Sequence, residues 1–173
     1  MLHSQLLMLR YFGRTEKDVA GRPVNWTDYH FPTMQELDRI RHEVGTDRQS
    51  RCVLIRGSHG LLKETAVDAV FPEASFDRVV MALFRSGFSK GVYEGGSIHL
   101  DARMGPSGLA RCWLALKPSR RGELAKRDLL SLLSYSNDGW DYFLWNHARS
   151  WELLSYLVEV NRPDRETLPV EMT

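Results

Sequence analysis

The composition of this sequence places it in no specialised class of protein. It has only two cysteines, Cys52 and Cys112, which form neither a disulfide framework nor a CxxC zinc motif. Both lie in apolar, strand-like segments, so we predict buried thiols, and a single disulfide between them stays open. Lysine and arginine total 23 and aspartate and glutamate 22, giving a net charge of +1. Because neither charge is in excess, no broad field attracts nucleic acid or an anionic membrane, and we predict no nucleic-acid partner.

Long hydrophobic runs are missing as well. No segment approaches the length of a membrane span, and residues 1–14 lack the basic start and the apolar length of a signal peptide. We therefore expect a soluble chain that needs an unknown delivery route if its site of action is the periplasm or cell wall. The chain has no internal repeat. Its 173 residues, 43% of them hydrophobic, suffice for one domain with a real core and an extension.

Apolar spacing predicts two helices in the first half of the chain. The segment 33–45 has an apolar residue on each turn and a capping box formed by Thr33 and Glu36. The segment 75–87 shows the same spacing, with Ser75 as its N-cap. Both segments have one apolar face, which predicts that each packs against a sheet.

Alternation of apolar and polar residues predicts the strands. A strand is expected at 52–56, whereas 61–71 fits a helix or a strand equally well. The runs 98–103 and 109–117 alternate with period two and are joined by a turn rich in glycine and proline, which predicts an antiparallel hairpin. One face of this hairpin would present His99, Asp101, Arg111 and Trp113.

The last third of the chain has a different character. Residues 122–136 and 139–160 are predicted to be helices, and the second has a tryptophan-rich face. Such a face most often packs on its own domain, but it could also bind a protein partner or a membrane surface. We therefore divide the chain into an α+β domain at 1–117 and a helical C-terminal extension at 118–173 that packs on it.

Three short motifs contain residue types that bind metals. They supply His59, Asp68 and His99, and a catalytic zinc site uses three such ligands with a fourth position open for water. Asp101 would take a proton from that water and pass it to a leaving amine. Arg56 would polarise a substrate carbonyl or hold a substrate carboxylate. Spacing alone supports this set weakly, because any chain with six histidines contains some triplet.

The same motifs, in the same order, resemble the zinc D-alanyl-D-alanine carboxypeptidases, a family that includes phage endolysin relatives and has the hedgehog/DD-peptidase fold. The resemblance covers about residues 24–114 and depends on "VLIRGSH", "TAVDAVF", "SGFSKGVYEGGSIHLDARMGP" and "RCW". It implies an α+β fold with a small antiparallel sheet and packed helices. It also implies bound Zn²⁺ and hydrolysis of peptide bonds in peptidoglycan stem peptides or cross-links.

The resemblance also assigns roles to single residues. Asp68 and His99 match two of the zinc ligands of the family. Asp101 matches the acidic residue that follows the second histidine, and Arg56 matches the arginine at a strand end. Some peptidases of this type place a catalytic glutamate shortly before the last histidine, so Glu94 is a second candidate after Asp101.

His59 departs from the family pattern. It lies two residues further from Asp68 than the first zinc histidine of the family, and Leu61 occupies the family position. Either a two-residue insertion still lets His59 reach the metal, or the ligand is lost. In the second case the chain would be a catalytically degenerate scaffold that binds another protein, with its C-terminal helices as the contact. A third hypothesis is a structural or regulatory protein of a virus or mobile element. His30 is expected to be a surface or boundary residue.

Overall fold

The computed structural model of the chain describes residues 1–45, 51–56, 65–105, 107–117, 133–137, 139–146, 152, 155 and 156. In this part of the chain the fold is α+β, with helices packed against a seven-stranded mixed sheet. The helices are α1 (His3–Leu6), α2 (Phe31–Val44) and α3 (Phe76–Phe84), with a 3-10 turn at Trp26–Asp28. The strands are β1 (Val53–Arg56), β2 (Ala66–Val70), β3 (Ser89–Tyr93), β4 (Ile98–Asp101), β5 (Arg111–Leu116), β6 (Leu133–Asn137) and β7 (Trp140–Asn146). None of the described helices has the length and apolarity needed to cross a membrane.

The strand order is β1-β2-β4-β3-β5-β7-β6. Neighbouring strands are antiparallel except β3 and β5, which run parallel. The predicted hairpin between 98–103 and 109–117 is therefore wrong, because β4 and β5 lie on opposite sides of β3. Alternation identified both strands but could not identify their partners, and β3 itself was not predicted as a strand.

The core lies between the sheet and the helices α2 and α3. Met34, Leu37 and Ile40 of α2 are completely buried, and Leu100 of β4 is buried with them in one continuous hydrophobic cluster. Burial of a side chain of this size stabilises a fold by about 1.5–3 kcal/mol. The sheet therefore has one face that belongs to the core, and its alternate residues form the opposite face.

The two thiols also lie in this core, as predicted. Cys52 and Cys112 are both free and buried. Burial raises the pKa of Cys52 to about 12 and that of Cys112 to about 11. Both thiols are therefore protonated at neutral pH, and neither is suited to act as a nucleophile.

Helix α2 begins before the predicted capping box. Its N-cap residue is His30, and Pro32 occupies the first turn, where the missing N–H of proline carries no cost. The predicted capping box is wrong, because the buried Thr33 hydroxyl donates to the carbonyl of Thr65. Glu36 instead pairs with the Arg39 guanidinium on the outer side of the helix.

The described residues beyond 117 correct the helices predicted for the C-terminal region. Residues 133–137 and 140–146 form β6 and β7, and β7 pairs with β5 in the same sheet. The aromatic residues of β7 recur at period two as well as at helical spacing, and aromatic residues favour strands. Residues 152, 155 and 156 are helical. His147 and most other residues of this region lie outside the described part.

Candidate functional site

A row of residues that pair through the backbone crosses five neighbouring strands of the sheet. Backbone pairing places His99 opposite Asp68 on one side and opposite Gly91 on the other. The row, in strand order, consists of Arg56, Asp68, His99, Gly91 and Trp113. The side chains of Asp68, His99 and Trp113 in this row lie on the face of the sheet opposite α2 and α3, and they supply a carboxylate on β2, an imidazole on β4 and an indole on β5.

Asp68 and His99 form the closest pair in this row. The Asp68 carboxylate is buried, and its Oδ1 lies 2.6 Å from Nδ1 of His99. An ionised Asp68 carboxylate can only accept hydrogen bonds, and Nδ1 of His99 would then carry the hydrogen in this contact. A carboxylate that binds a histidine in this way fixes the orientation and the tautomer of the ring.

Asp101 lies beside this pair at the end of β4. Its carboxylate accepts hydrogen bonds from the Thr65 hydroxyl at 2.6 Å and from Nη2 of Arg103 at 2.7 Å. Burial raises the pKa of Asp101, but the hydrogen bonds from Arg103 and Thr65 outweigh burial and leave the pKa below its usual value. Oδ2 of Asp101 is 4.0 Å from Nε2 of His99. Asp101 is therefore a fixed negative charge next to the imidazole.

His30 belongs to the same group, although the sequence suggested no role for it. Its Nδ1 lies 3.0 Å from the Thr33 hydroxyl, which in turn contacts Thr65. Burial lowers the pKa of His30, and the charge of Asp101 raises it in part. In the sequence, the only sign of a role for His30 is its position directly before the start of α2 at Phe31 and Pro32. That position does not indicate which strands of the sheet lie near it.

Aromatic side chains extend the row beyond His99. The Trp113 ring lies over Gly91, where an added Cβ would overlap the indole, and its centroid is 5.0 Å from that of His99. Tyr93 makes edge-to-face contacts with Trp113, Trp140 and Tyr142 at centroid distances of 5.1 to 6.2 Å. This cluster forms one side of the candidate site.

The remaining predicted site residues have different positions. Arg56 pairs with Asp68 through the backbone, and its side chain lies outside the described residues. Glu94 lies at the turn between β3 and β4, where its carboxylate accepts a hydrogen bond from the Lys117 amide at 2.8 Å. His59 lies outside the described residues.

The donor types of the central pair suit a zinc ion, because imidazole nitrogen and carboxylate oxygen are common zinc ligands. Among the residues that the structure describes, no group of three or more His, Cys, Asp or Glu side chains could hold a metal ion. Of the predicted ligand set, Asp68 and His99 lie within the described residues and contact each other.

Comparisons of the chain with family models, curated proteins and solved structures return no match.

Proposed function

We propose that the protein is a zinc-dependent peptidase that hydrolyses peptide bonds in peptidoglycan stem peptides or cross-links. The observation that supports this proposal is the contact between Asp68 and His99 at 2.6 Å, on adjacent strands and on the face opposite the helices. Both residues are ligands in the family that residues 24–114 resemble, and that family supplies the substrate class of the proposal.

The proposed ligand set is His59, Asp68 and His99. His59 is the candidate for the third ligand because it lies in the sequence between β1 and β2, the strands that pair at Arg56 and Asp68. A bound zinc ion supplies Lewis acidity, which lowers the pKa of a water molecule and polarises a carbonyl group.

The other residues of the row would act on the substrate. Arg56 is proposed to hold the substrate carbonyl, since its backbone pairs with Asp68. Asp101 is the proposed proton carrier, because its carboxylate lies 4.0 Å from Nε2 of His99 and Arg103 holds it in place. Glu94 is the second candidate for this role.

A second candidate function is a binding module without catalysis on the same scaffold. One observation favours it: the aromatic rings of Trp113 and Tyr93 adjoin the pair of Asp68 and His99. Aromatic side chains contribute large contact areas to binding sites whether or not a reaction follows. This module would bind a peptidoglycan peptide or a protein partner.

Zinc binding by the full-length chain, purified without an affinity tag or chelator, tests the metal site. We expect about one zinc per chain by elemental analysis after zinc addition, because a catalytic site holds a single ion on three protein ligands. His99→Ala, Asp68→Asn and His59→Ala should each weaken zinc binding by tenfold or more in calorimetry, whereas His3→Ala, at an exposed position, should not. Unchanged zinc content in His59→Ala would exclude His59 as a ligand.

Hydrolysis separates the two candidate functions. The zinc-loaded chain should release new amino groups from cross-linked peptidoglycan or from a stem peptide that ends in D-alanyl-D-alanine. Zinc-free protein that binds these fragments without cleaving them would support the binding module. A chain that neither binds zinc nor cleaves or binds these fragments would contradict both proposals.

A further inference from the structure

A series of hydrogen bonds connects the start of α2 with the candidate site. The Thr33 hydroxyl donates to the carbonyl oxygen of Thr65 at 2.5 Å, and the Thr65 hydroxyl donates to Oδ1 of Asp101 at 2.6 Å. The Thr65 carbonyl also accepts the Ala102 amide at 3.2 Å. Thr65 is therefore held by α2 on one side and by β4 on the other, directly before β2 begins.

The proton count at Thr33 determines the state of His30. A threonine hydroxyl has one hydrogen, and that hydrogen is donated to Thr65. The contact of 3.0 Å between the Thr33 oxygen and Nδ1 of His30 therefore requires Nδ1 to be the donor. Neutral His30 is the Nδ1–H tautomer, with the lone pair on Nε2.

We propose that His30 and Thr33 are positioning residues of the candidate site, which hold Thr65 and, through it, Asp101 beside His99. Arg103 holds Asp101 through its backbone amide at 2.9 Å and through a guanidinium that is 55% exposed, and exposed ion pairs are weak, so the Thr65 hydroxyl is the side-chain donor to Asp101 that comes from outside β4 and its turn. Thr33, by contrast, is 1% exposed. The consequence for zinc affinity rests on the proposed function, whereas the tautomer of His30 does not.

The first test uses nitrogen-15 NMR of the histidine rings in the full-length, zinc-free chain. We expect the Nδ1–H pattern for His30 in the wild type and in Thr33→Ser, which keeps the hydroxyl, and its loss in Thr33→Val. Thr33→Val should also shift the His99 ring resonances, since Asp101 would move relative to Nε2. An Nε2–H pattern for wild-type His30, or His99 resonances unchanged by Thr33→Val, would overturn the proposal.

The second test measures zinc affinity by calorimetry. His30→Ala should weaken zinc binding several-fold, by less than the tenfold or more found for direct partners of metal ligands, because His30 acts on His99 only through Thr33, Thr65 and Asp101. His30→Asn should restore most of the loss, because the asparagine amide can donate from the position of Nδ1. His42→Ala is the matched control, an exposed histidine on the same helix. An equal loss of zinc affinity in His30→Ala and His30→Asn would overturn the proposal that His30 positions Asp101 through hydrogen bonds.

The two proposals fail in different ways. If the wild type binds no zinc, the proposed function fails. The NMR test of His30 and His99 still decides whether His30 and Thr33 position Asp101. If Thr33→Val does not fold, Thr33→Ser and the two His30 variants decide it, because they preserve the buried hydroxyl.

Discussion

At the scale of single residues, Lys90 is an unusual member of the core. Its side chain is completely buried, and its ammonium group donates to the backbone carbonyl of Ser86. The ammonium nitrogen also lies 5.8 Å from the centroid of the Phe84 ring. Burial lowers the pKa of Lys90, and the nearby Cys112 and Glu36 raise it in part. The core therefore contains a group that is easier to deprotonate than an ordinary lysine.

We expect Lys90→Met to change how stability depends on pH. Because the folded-state pKa of Lys90 is lowered, the unfolded chain binds more protons between that pKa and about 10.4, and the free energy of unfolding of the wild type rises with pH in this window. The variant lacks this contribution. Its stability relative to wild type should therefore fall as pH rises, by at most about 1.4 kcal/mol per pH unit.

Urea denaturation of both proteins at several pH values between about 7 and 10 measures this difference. Lys17→Met, at an exposed lysine, is the matched control. A difference between Lys90→Met and wild type that stays constant over this range would show that Lys90 titrates alike in the folded and unfolded chains.

At the scale of secondary-structure elements, β3 connects the two halves of the candidate site. It lies between β4, which carries His99, and β5, which carries Trp113. Gly91 is the residue of β3 opposite both, and it leaves room for the indole to lie across the strand towards the imidazole. A glycine in a strand interior weakens the strand itself, and close packing by a neighbour is a common reason to keep it.

Gly91→Ala should therefore disrupt the site. The added Cβ would overlap the Trp113 ring, so the ring must move, and overpacking of this kind costs about 1–3 kcal/mol of stability. We expect a lower midpoint of thermal unfolding, a changed near-UV circular dichroism spectrum and weaker zinc binding. Gly87→Ala, where an added Cβ meets nothing within 4 Å, is the control. Equal effects of the two substitutions would contradict the role of the Gly91–Trp113 contact.

The same elements show what the sequence could and could not predict. Periodicity identified β1, β4, β5 and the two long helices, because each has one apolar face. It missed β3, where a buried lysine and a glycine interrupt the pattern. His99 and Trp113 were correctly assigned to one face, but through a hairpin that does not exist, since the glycine strand lies between them.

The candidate site was predictable only in part for a related reason. Asp68 and His99 were singled out by the resemblance to a family, and the structure brings them into contact. Thr65 and His30 were not singled out, because threonine and histidine at a helix start or strand start have many ordinary roles. Their connection to Asp101 depends on contacts between residues more than thirty positions apart, which no local pattern contains.

At the scale of the whole molecule, the sheet continues past residue 117. Strand β7 pairs with β5 along six positions, and its Phe143 and Trp145 are buried in the same hydrophobic cluster as the residues of α2. Tyr156 is buried in that cluster as well. Residues of the first 117 therefore share one sheet and one hydrophobic cluster with residues that follow them, and the division into domains at residue 117 can be tested by truncation.

We expect a chain that ends at residue 117 to lose cooperative unfolding. The truncation removes the strand beside β5 and uncovers apolar side chains of β5, including Leu114. Burial of Phe143 and Trp145 alone contributes about 1.5–3 kcal/mol for each side chain, a large share of the about 5–15 kcal/mol that stabilises a typical domain. Thermal denaturation followed by circular dichroism, and the dispersion of amide signals in NMR spectra, measure the loss.

Phe143→Ala in the full-length chain is a milder test of the same contact and should lower the free energy of unfolding by about 3–5 kcal/mol. A truncated chain that unfolds cooperatively at the midpoint of the full-length protein would instead establish residues 1–117 as an independent domain, because the pairing of β7 with β5 would then add nothing to its stability.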